Sequence, residues 1–441
     1  MAGARVVDAP DVVVVGAGIA GLTAAALLAR GGLTVELLEA HRQSGGCAGT
    51  FRRGAWIFDV GATQVAGLEA GGIHRRLFEH LGVDPPQAEP LDPGCVVDLD
   101  DGREPVRILR DPEAWRRERQ RQFPGSERFW SLCEAIHGAS WRFAECLPVL
   151  PPRSPWDLGQ LLGALNVGTL ATSLLTTASI ADLLRLCGCG GDRRLRRFLD
   201  LQLRLYSQEP AERNAALYGA TVLQMVQQPL GLWHLQGSMQ ALCQRLEEAL
   251  TAAGGRLSLR QRLKGLRRDP ASGRWTLQID SPAGPRQLGS AEVVLTLPPQ
   301  TLPDLVGDQL PKGYRRRITT LQDPSGALVF YGAVERERLP AACPGHLQLD
   351  WPDPGSLFVS VSQEGDGRAP AGQATVIASV FTSSRAWFDG DEAEYQRRKR
   401  QAEAGIRTGL QRLLGIAPDQ WLHGELATPR GWAGWTGRPL G

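Results

Sequence analysis

Glycines recur at a spacing that suits phosphate binding near the start of this 441-residue chain. Gly16, Gly18 and Gly21 follow four consecutive valines, Val12–Val15, and precede a run of good helix formers at residues 22–30. Gly16 permits a tight turn, Gly18 lets the backbone approach a pyrophosphate, and Gly21 allows close packing of helix and strand. The pattern therefore predicts a strand and a helix whose N-terminus binds the phosphates of a dinucleotide.

A carboxylate follows the second predicted strand, residues 34–38. Glu39 comes eighteen residues after Gly21, where it can accept hydrogen bonds from both ribose hydroxyls of an adenosine and would repel a 2′-phosphate. Taken alone, Glu39 would be interpreted as an exposed charge at a strand end. The glycine turn at the expected distance before Glu39 favours the interpretation as a dinucleotide-binding site.

Two further glycine motifs indicate which dinucleotide is bound. Gly45 and Gly46 form a doublet, and Asp59 is followed by Val60 and Gly61. Each motif marks a place where backbone passes close to another group. Because a simple NAD dehydrogenase does not need them, the predicted cofactor is FAD.

The order of predicted elements indicates an α/β fold with a doubly wound, Rossmann-like FAD-binding domain that is discontinuous in sequence. A mainly helical region follows residue 61, and the nucleotide-type pattern returns at residues 237–298. We expect the FAD-binding domain at residues 1–75 and 225–300. An α+β substrate domain is expected at residues 76–224 and 301–430, with an antiparallel sheet from residue 328 onward.

Composition excludes several classes of function. A net charge of +2 gives no general attraction to nucleic acid. The eight cysteines show no paired CxxC spacing and the seven histidines are dispersed, so no metal site is predicted. Scattered cysteines and the absence of a signal-peptide pattern in residues 1–10 indicate a reducing, cytoplasmic location.

Residues 158–181 contain no charged side chain. The segment is too polar for a membrane-spanning helix, because it includes glycines, an asparagine and several hydroxyl side chains. Two interpretations remain open. The segment is either a buried helix pair of the substrate domain or a shallowly inserted surface of a peripheral membrane protein.

These motifs resemble those of the phytoene desaturase and flavin amine oxidase superfamily. Residues 45–51 (GGCAGTF) and 58–68 (FDVGATQVAGL) are similar to the carotenoid desaturase and isomerase branch. Residues 123–126 (FPGS) and 198–203 (FLDLQL) resemble the cyanobacterial carotenoid 3′,4′-desaturases. The resemblance runs from Val12 to the last residue and implies a cyanobacterial-type cell.

The resemblance implies a set of FAD contacts. The turn from Ala62 to Gln64 is the candidate lining of the flavin ring. The complete set of expected cofactor-binding residues is Gly16, Ala17, Gly18, Ile19, Ala20, Gly21, Glu39, Gly45, Gly46, Asp59, Gly61, Ala62, Thr63 and Leu263.

The chain departs from the superfamily pattern at two places. Cys47 stands where an arginine usually follows the glycine doublet, which removes one phosphate contact. The superfamily also has a second, C-terminal FAD motif, and the chain reaches Gly441 before any such motif. The expectation is therefore that the sequence is truncated or that flavin binding is weak.

The chemistry implied by the resemblance is removal of two hydrogens from an apolar carotenoid, with electrons passing through FAD to an unknown acceptor. Asp200 and Arg204, four residues apart, could form a polar pair at the reaction site or an ordinary intrahelical ion pair. No general base is marked by sequence.

Three other functions stay open at this stage. A carotenoid cis-trans isomerase would use reduced flavin without net oxidation. An amine or porphyrinogen oxidase on the same fold would release hydrogen peroxide. The third alternative is a non-catalytic, truncated remnant that binds carotenoid or membrane but no FAD.

Overall fold

The structure is a computed structural model that describes residues 9–441. The prediction about a signal peptide rests on residues 1–10, of which 1–8 lie outside the described residues. The strands, numbered in chain order, are β1 (Val12–Val15), β2 (Val35–Leu38), β3 (Thr50–Arg53), β4 (Trp56–Asp59), β5 (Val65–Ala66), β6 (Ala88–Pro90), β7 (Cys95–Asp98), β8 (Val106–Ile108), β9 (Leu232–Leu235), β10 (Arg256–Ser258), β11 (Arg262–Arg268), β12 (Trp275–Ser281), β13 (Gly284–Ser290), β14 (Glu292–Leu295), β15 (Ser325–Glu335), β16 (His346–Leu349), β17 (Leu357–Val361), β18 (Gln373–Ser383) and β19 (His423–Ala427).

The α-helices are numbered in the same way. They are α1 (Ile19–Arg30), α2 (Ile73–Leu81), α3 (Pro112–Gln122), α4 (Glu127–Glu145), α5 (Pro155–Ala164), α6 (Val167–Ser173), α7 (Ile180–Leu186), α8 (Arg193–Ser207), α9 (Ala216–Val222), α10 (Gln240–Ala252), α11 (Leu302–Val306), α12 (Lys312–Thr319), α13 (Glu392–Leu414) and α14 (Pro429–Thr436). Within residues 9–441, no helix combines the length and the apolar content needed to cross a bilayer.

The chain divides into two compact units. Unit 1 contains the chain up to Glu89 together with Trp233–Ala341 and Ser360–Gly441, and unit 2 contains Pro90–Leu232 and Ala342–Val359. Residues 301–341 and 360–430, which we expected in the substrate domain, belong to unit 1 by packing. The functional division into two domains stays a prediction.

A four-stranded parallel sheet in the order β10-β2-β1-β14 lies at the centre of unit 1. All four valines of β1 are buried, because both faces of the sheet are covered. Val12 and Val14 pack with α1 and α10, whereas Val13 and Val15 pack with the antiparallel sheet β11-β12-β13. The predicted FAD-binding α/β fold is confirmed, with a small antiparallel sheet on its second face.

The register of this sheet aligns three strand ends. Val15 pairs in parallel with Leu38 of β2 and with Leu295 of β14. The segments that leave these strands therefore start at one edge of the sheet, where ligands of open α/β sheets bind.

An antiparallel sheet also forms in unit 1, as predicted from residue 328 onward. β15 pairs with β18 on one side and with β19 on the other. Tyr331 of β15 is 1% exposed and donates its hydroxyl to the carbonyl of Val60 at 2.6 Å. This bond fixes the segment after β4, which carries part of the predicted FAD motif.

Unit 2 is mainly helical and contains α3 to α9. Its core is aromatic: Phe123 and Phe198 are buried with ring centroids 5.1 Å apart, and Trp115 and Trp130 lie 5.7 Å apart. The mainly helical region predicted after residue 61 is confirmed here, and α4, α7 and α8 are among its helices.

Helices α5 and α6 contain most of the uncharged segment, residues 158–181. The two helices follow one another in the chain, but α5 buries only Ala164 and α6 buries none of its residues. The expectation of a buried helix pair is therefore wrong. Helical periodicity shows which residues share a face but does not show whether another element covers that face.

Four titratable side chains of unit 1 meet in a buried cluster. Asp59, His234, Asp366 and Arg368 are each at most 3% exposed. Arg368 lies between the carboxylates, with Nη2 3.1 Å from Asp59 Oδ2 and Nη1 3.1 Å from Asp366 Oδ2. Asp59 also accepts the backbone N–H of Met239 at 2.8 Å, at the start of α10. The cluster ties β4 to α10 and to the segment before β18.

The environment of Asp366 favours its charged form. Burial opposes the charge, but the hydrogen bond with His234 at 2.8 Å and the charge of Arg368 outweigh burial and lower the pKa of Asp366. Since this pKa is lower in the folded protein, the carboxylate stabilises the fold above its unfolded pKa. That contribution is lost as the pH falls through the folded value.

Replacement of Arg368 by methionine is expected to lower the free energy of unfolding by about 3–5 kcal/mol, because it leaves two buried carboxylates without their counter-charge. Urea denaturation measures the change. Arg385→Met is the matched control, since Arg385 pairs with Asp323 at the surface. Equal losses in the two variants would contradict the importance assigned to the buried cluster.

A second prediction concerns pH. The free energy of unfolding should fall as the pH drops below about 4, and Asp366→Asn should make that fall less steep. The reason is that the variant loses a group that takes up a proton when the protein unfolds in acid. Urea titrations at several pH values test this, and an unchanged slope would count against it.

Candidate functional site

The turn between β1 and α1 is packed too closely for larger residues. Gly16 has a φ of +99°, and a Cβ on Gly21 would lie 1.8 Å from the carbonyl oxygen of Gly16. The hydroxyl of Thr296, just after β14, lies 2.9 Å from the carbonyl oxygens of both Val15 and Gly16. Two strands and one helix therefore meet at this point with no space for a side chain.

Gly18, at the N-terminus of α1, has the opposite surroundings. A Cβ on Gly18 would have no atom within 4 Å, and no side chain caps the helix. The N–H groups of the first turn, which include those of Ile19 and Ala20, are therefore available to an anion, and the helix dipole favours a negative charge there.

A cavity of about 310 Å³ opens at the carboxyl ends of β1, β2 and β14. Five of the expected cofactor residues line it: Gly16, Gly18, Glu39, Gly46 and Leu263. Lining residues that the sequence did not single out include His41, Gln43, Ser44, Gln261, Arg262, Thr296, Thr301, Trp435, Thr436 and Arg438.

Glu39 is held by backbone groups at the wall of the cavity. Its Oε2 accepts the N–H of Ala17 at 2.7 Å, and its Oε1 accepts the N–H of His41 at 2.8 Å. A carboxylate oxygen has a second lone pair, so both oxygens can still accept ribose hydroxyls. The predicted ribose contact is thus compatible with the geometry.

The glycine doublet shapes a loop beside the phosphate-binding turn. Gly45 and Gly46 both have positive φ, and the N–H of Gly45 donates to the carbonyl of Ala17 at 2.8 Å. A Cβ on Gly46 would lie 3.5 Å from the Cα of Gly18. That distance is an ordinary contact, so it is the positive φ of Gly46 that favours glycine there, whereas a Cβ on Gly45 would lie only 2.8 Å from the Cα of Gly49.

The residues after β4 form hydrogen bonds with the loop that follows the glycine doublet. Val60 donates its N–H to the carbonyl of Gly49 at 2.9 Å, and Ala62 donates to that of Cys47 at 3.3 Å. Asp59, Gly61, Ala62 and Thr63, all expected cofactor contacts, are not among the residues that line the cavity. Asp59 is 1% exposed and belongs to the buried cluster with Arg368. Direct contact of these four residues with the cofactor stays a prediction.

The charged side chains at the cavity are two arginines and two carboxylates, those of Glu39 and Asp304. Arg262 and Arg438 both line it, and the ring of Trp435 lies 4.4 Å from that of His41. Cationic side chains, an uncapped helix N-terminus and an open position at Gly18 suit a pyrophosphate, and Glu39 suits a ribose. The residues present therefore fit FAD.

Asp200 and Arg204 do not form the pair considered from sequence. In α8, the carboxylate of Asp200 bonds Arg196 Nε at 3.1 Å and accepts the N–H of Ala211 at 2.8 Å. Arg204 is exposed. Residues four positions away in either direction share a helix face with Asp200, so the spacing could not select between Arg196 and Arg204.

Comparison with known proteins identifies the class. Residues 19–433 match the family of flavin-containing amine oxidoreductases, and the chain belongs to this family. The predicted superfamily and the FAD cofactor are thereby confirmed. The chain is a member of a flavin oxidoreductase family.

Relatives within the class have polyenes in their names. The chain is 26% identical over 265 residues to all-trans-retinol 13,14-reductase of Danio rerio, which covers 58% of the chain and 42% of the relative. It is 27% identical over 268 residues to 4,4'-diapolycopene oxygenase of Methylomonas, with 57% and 49% covered. It is 33% identical over 132 residues to prolycopene isomerase 2 of an Oncidium hybrid, with 29% and 22% covered. The matches span less than half of each relative's length.

Solved structures share the fold over nearly the whole chain. A putrescine oxidase variant has a TM-score of 0.64 at 18% identity, with 98% of this chain and 86% of that chain covered. At this identity the likeness concerns the fold alone.

Sequence reasoning missed residues that reach the cavity from distant parts of the chain. Thr296 could have been found from sequence, because it lies in the nucleotide-type pattern of residues 237–298, and the ends of parallel strands meet at one edge of a sheet. Trp435 and Arg438 follow no nucleotide-binding pattern, so only the tertiary fold brings them to the cavity.

Gly18→Val should fold normally yet weaken FAD binding at least about a hundredfold (~2.7 kcal/mol), because the new side chain occupies the space of the pyrophosphate. Isothermal titration with FAD and thermal melting measure the two effects. Gly191→Val is the control, since Gly191 has equally open surroundings in unit 2. By contrast, Gly21→Val should lower the melting temperature. Unchanged FAD affinity in Gly18→Val would contradict the site.

Proposed function

We propose that the chain is an FAD-dependent oxidoreductase that desaturates a carotenoid. The observation that carries the substrate class is the similarity to relatives named for retinol, diapolycopene and prolycopene. The 3′,4′ position is a finer proposal, supported by the resemblance of residues 123–126 and 198–203. In the structure, Phe123 and Phe198 belong to the aromatic core of unit 2. In this proposal they would influence the reaction only indirectly, through the packing of that core.

The chain's own residues bind and orient the cofactor in this proposal. FAD, when bound, supplies a hydride acceptor. The first turn of α1, beside Gly18, holds the pyrophosphate, and Glu39 holds the ribose. Arg262 and Arg438 add positive charge at the cavity. The turn from Ala62 to Gln64 is our candidate for the contact with the flavin ring.

Desaturation removes a hydride from one substrate carbon and a proton from its neighbour. The hydride goes to the cofactor and the proton is released to solvent. An electron acceptor outside the chain must then reoxidise the flavin. Asp200 is held by Arg196 and Ala211, so its contacts account for it as a structural residue of α8.

Two relatives favour other reactions on the same class of substrate. The similarity to prolycopene isomerase supports a carotenoid cis-trans isomerase. The similarity to a retinol 13,14-reductase supports hydrogen transfer in the opposite direction, onto the polyene. Both alternatives use the same cavity for FAD.

We further propose a cytoplasmic location at the periphery of a membrane, in a cyanobacterial-type cell. All eight cysteines are free thiols. A reducing compartment keeps such thiols reduced. The proposed substrate is apolar and would dissolve in a bilayer.

The product mass separates these functions. The FAD-loaded protein is incubated with a carotenoid and an artificial electron acceptor, and the product is analysed by liquid chromatography and mass spectrometry. We expect a product two hydrogens lighter than the substrate. In a second incubation, with reduced flavin in place of the acceptor, an equal mass with a changed retention time would indicate the isomerase, and two added hydrogens would indicate the reductase. Gly18→Val is the matched flavin-free control. Failure of the wild-type chain to bind FAD, together with the absence of any product, would support the non-catalytic remnant.

A further inference from the structure

Half of the exposed large apolar side chains lie in one short segment of unit 2. Of twenty such side chains in the described part of the chain, ten fall within residues 147–174, which we call the apolar segment. Val167 and Leu174 are each 85% exposed. Soluble monomers rarely leave so many large apolar side chains together in water, and such a patch marks an interaction site.

The apolar side chains follow the helical period. Leu158 and Leu162 lie four residues apart on α5, and Val167, Leu170 and Leu174 follow at spacings of three and four along α6 and its end. Each helix therefore presents an apolar face. Since α5 and α6 together bury a single residue, that apolar face is left uncovered within unit 2.

The polar groups of α6 are satisfied within the segment. Asn166 and Thr169 form a reciprocal capping box, with both hydrogen bonds at 3.0 Å. The hydroxyl of Thr172 donates to the carbonyl of Thr169 at 3.1 Å, and that of Ser173 donates to the carbonyl of Leu170 at 2.6 Å. Groups bonded in this way lose little when water is replaced by an apolar medium.

The charges around the apolar segment cancel. Residues 158–181 carry none, and residues 142–185 contain three arginines and three acids, a net charge of zero. Arg185 is paired with Asp182. Trp156, 65% exposed, stands at the start of α5, and tryptophan is enriched at the boundary between lipid and water. This pattern complements a zwitterionic lipid surface more than an anionic one.

We propose that the apolar segment docks on a phospholipid bilayer and inserts its exposed leucine and valine side chains into the outer part of one leaflet. The two short helices lie in the interface, because neither is long enough to span the bilayer. The surface itself is inferred from exposure, hydrogen bonding and charge. Its use as the place where an apolar substrate is collected rests on the proposed function.

Flotation with phosphatidylcholine vesicles tests the proposal. The wild-type chain should float with the vesicles, and added anionic lipid or high salt should change its partition little. Val167→Asp with Leu174→Asp should lower the partition at least about tenfold without loss of melting temperature, because both side chains are exposed. Leu321→Asp, at a site 46% exposed in unit 1, is the matched control and should float like the wild type.

Three outcomes would overturn the proposal. In the first, the wild type floats at no vesicle concentration, and in the second, the double variant floats as well as the control. In the third, the wild type forms a dimer in sedimentation velocity, the double variant is monomeric, and neither floats, so that a second copy covers the segment. Turnover of a detergent-dissolved carotenoid is measured separately. Its failure would contradict the proposed function and leave the flotation result unaffected.

Discussion

Close contact between backbone segments at Gly16 and Gly21 is the constraint on which the rest of unit 1 depends. A side chain at Gly21 would collide with the carbonyl of Gly16, and the hydroxyl of Thr296 fills the remaining space. β1, α1 and the end of β14 are thereby fixed at one edge of the parallel sheet. The same arrangement leaves Gly18 open and the start of α1 uncapped, which produces a cavity suited to a pyrophosphate.

The buried cluster of Asp59 and Arg368 supports this arrangement from a distance. Asp59 accepts the N–H of Met239 at the start of α10, and the residues that follow it bond the loop of Gly45 and Gly46. Asp59 belongs to a motif expected to contact the cofactor. Its hydrogen bonds instead hold in place the elements that form the cavity. The cost of burying its charge is offset by a counter-charge equally buried.

Sequence patterns within short segments predicted much of this structure. They could not predict contacts between residues that are far apart in the chain. The valines of β1, the helix after them and Glu39 follow from periodicity and turn chemistry within about thirty residues. Arg368 meets Asp59 across 309 positions, and no local pattern marks such a partner. Asp200 bonds Arg196 and not Arg204, although both lie four residues away from it in the sequence. Likewise, the uncharged segment was recognised, but its exposure depends on what the rest of unit 2 leaves uncovered.

The reactivity of one thiol tests most directly whether FAD occupies the cavity at the ends of β1, β2 and β14. Cys47 is exposed and lines this cavity, whereas Cys146 is exposed in unit 2. Alkylation of each thiol is followed by mass spectrometry with and without FAD. We predict that saturating FAD slows modification of Cys47 at least about tenfold and leaves that of Cys146 unchanged. Equal rates at Cys47 while FAD is demonstrably bound would contradict it.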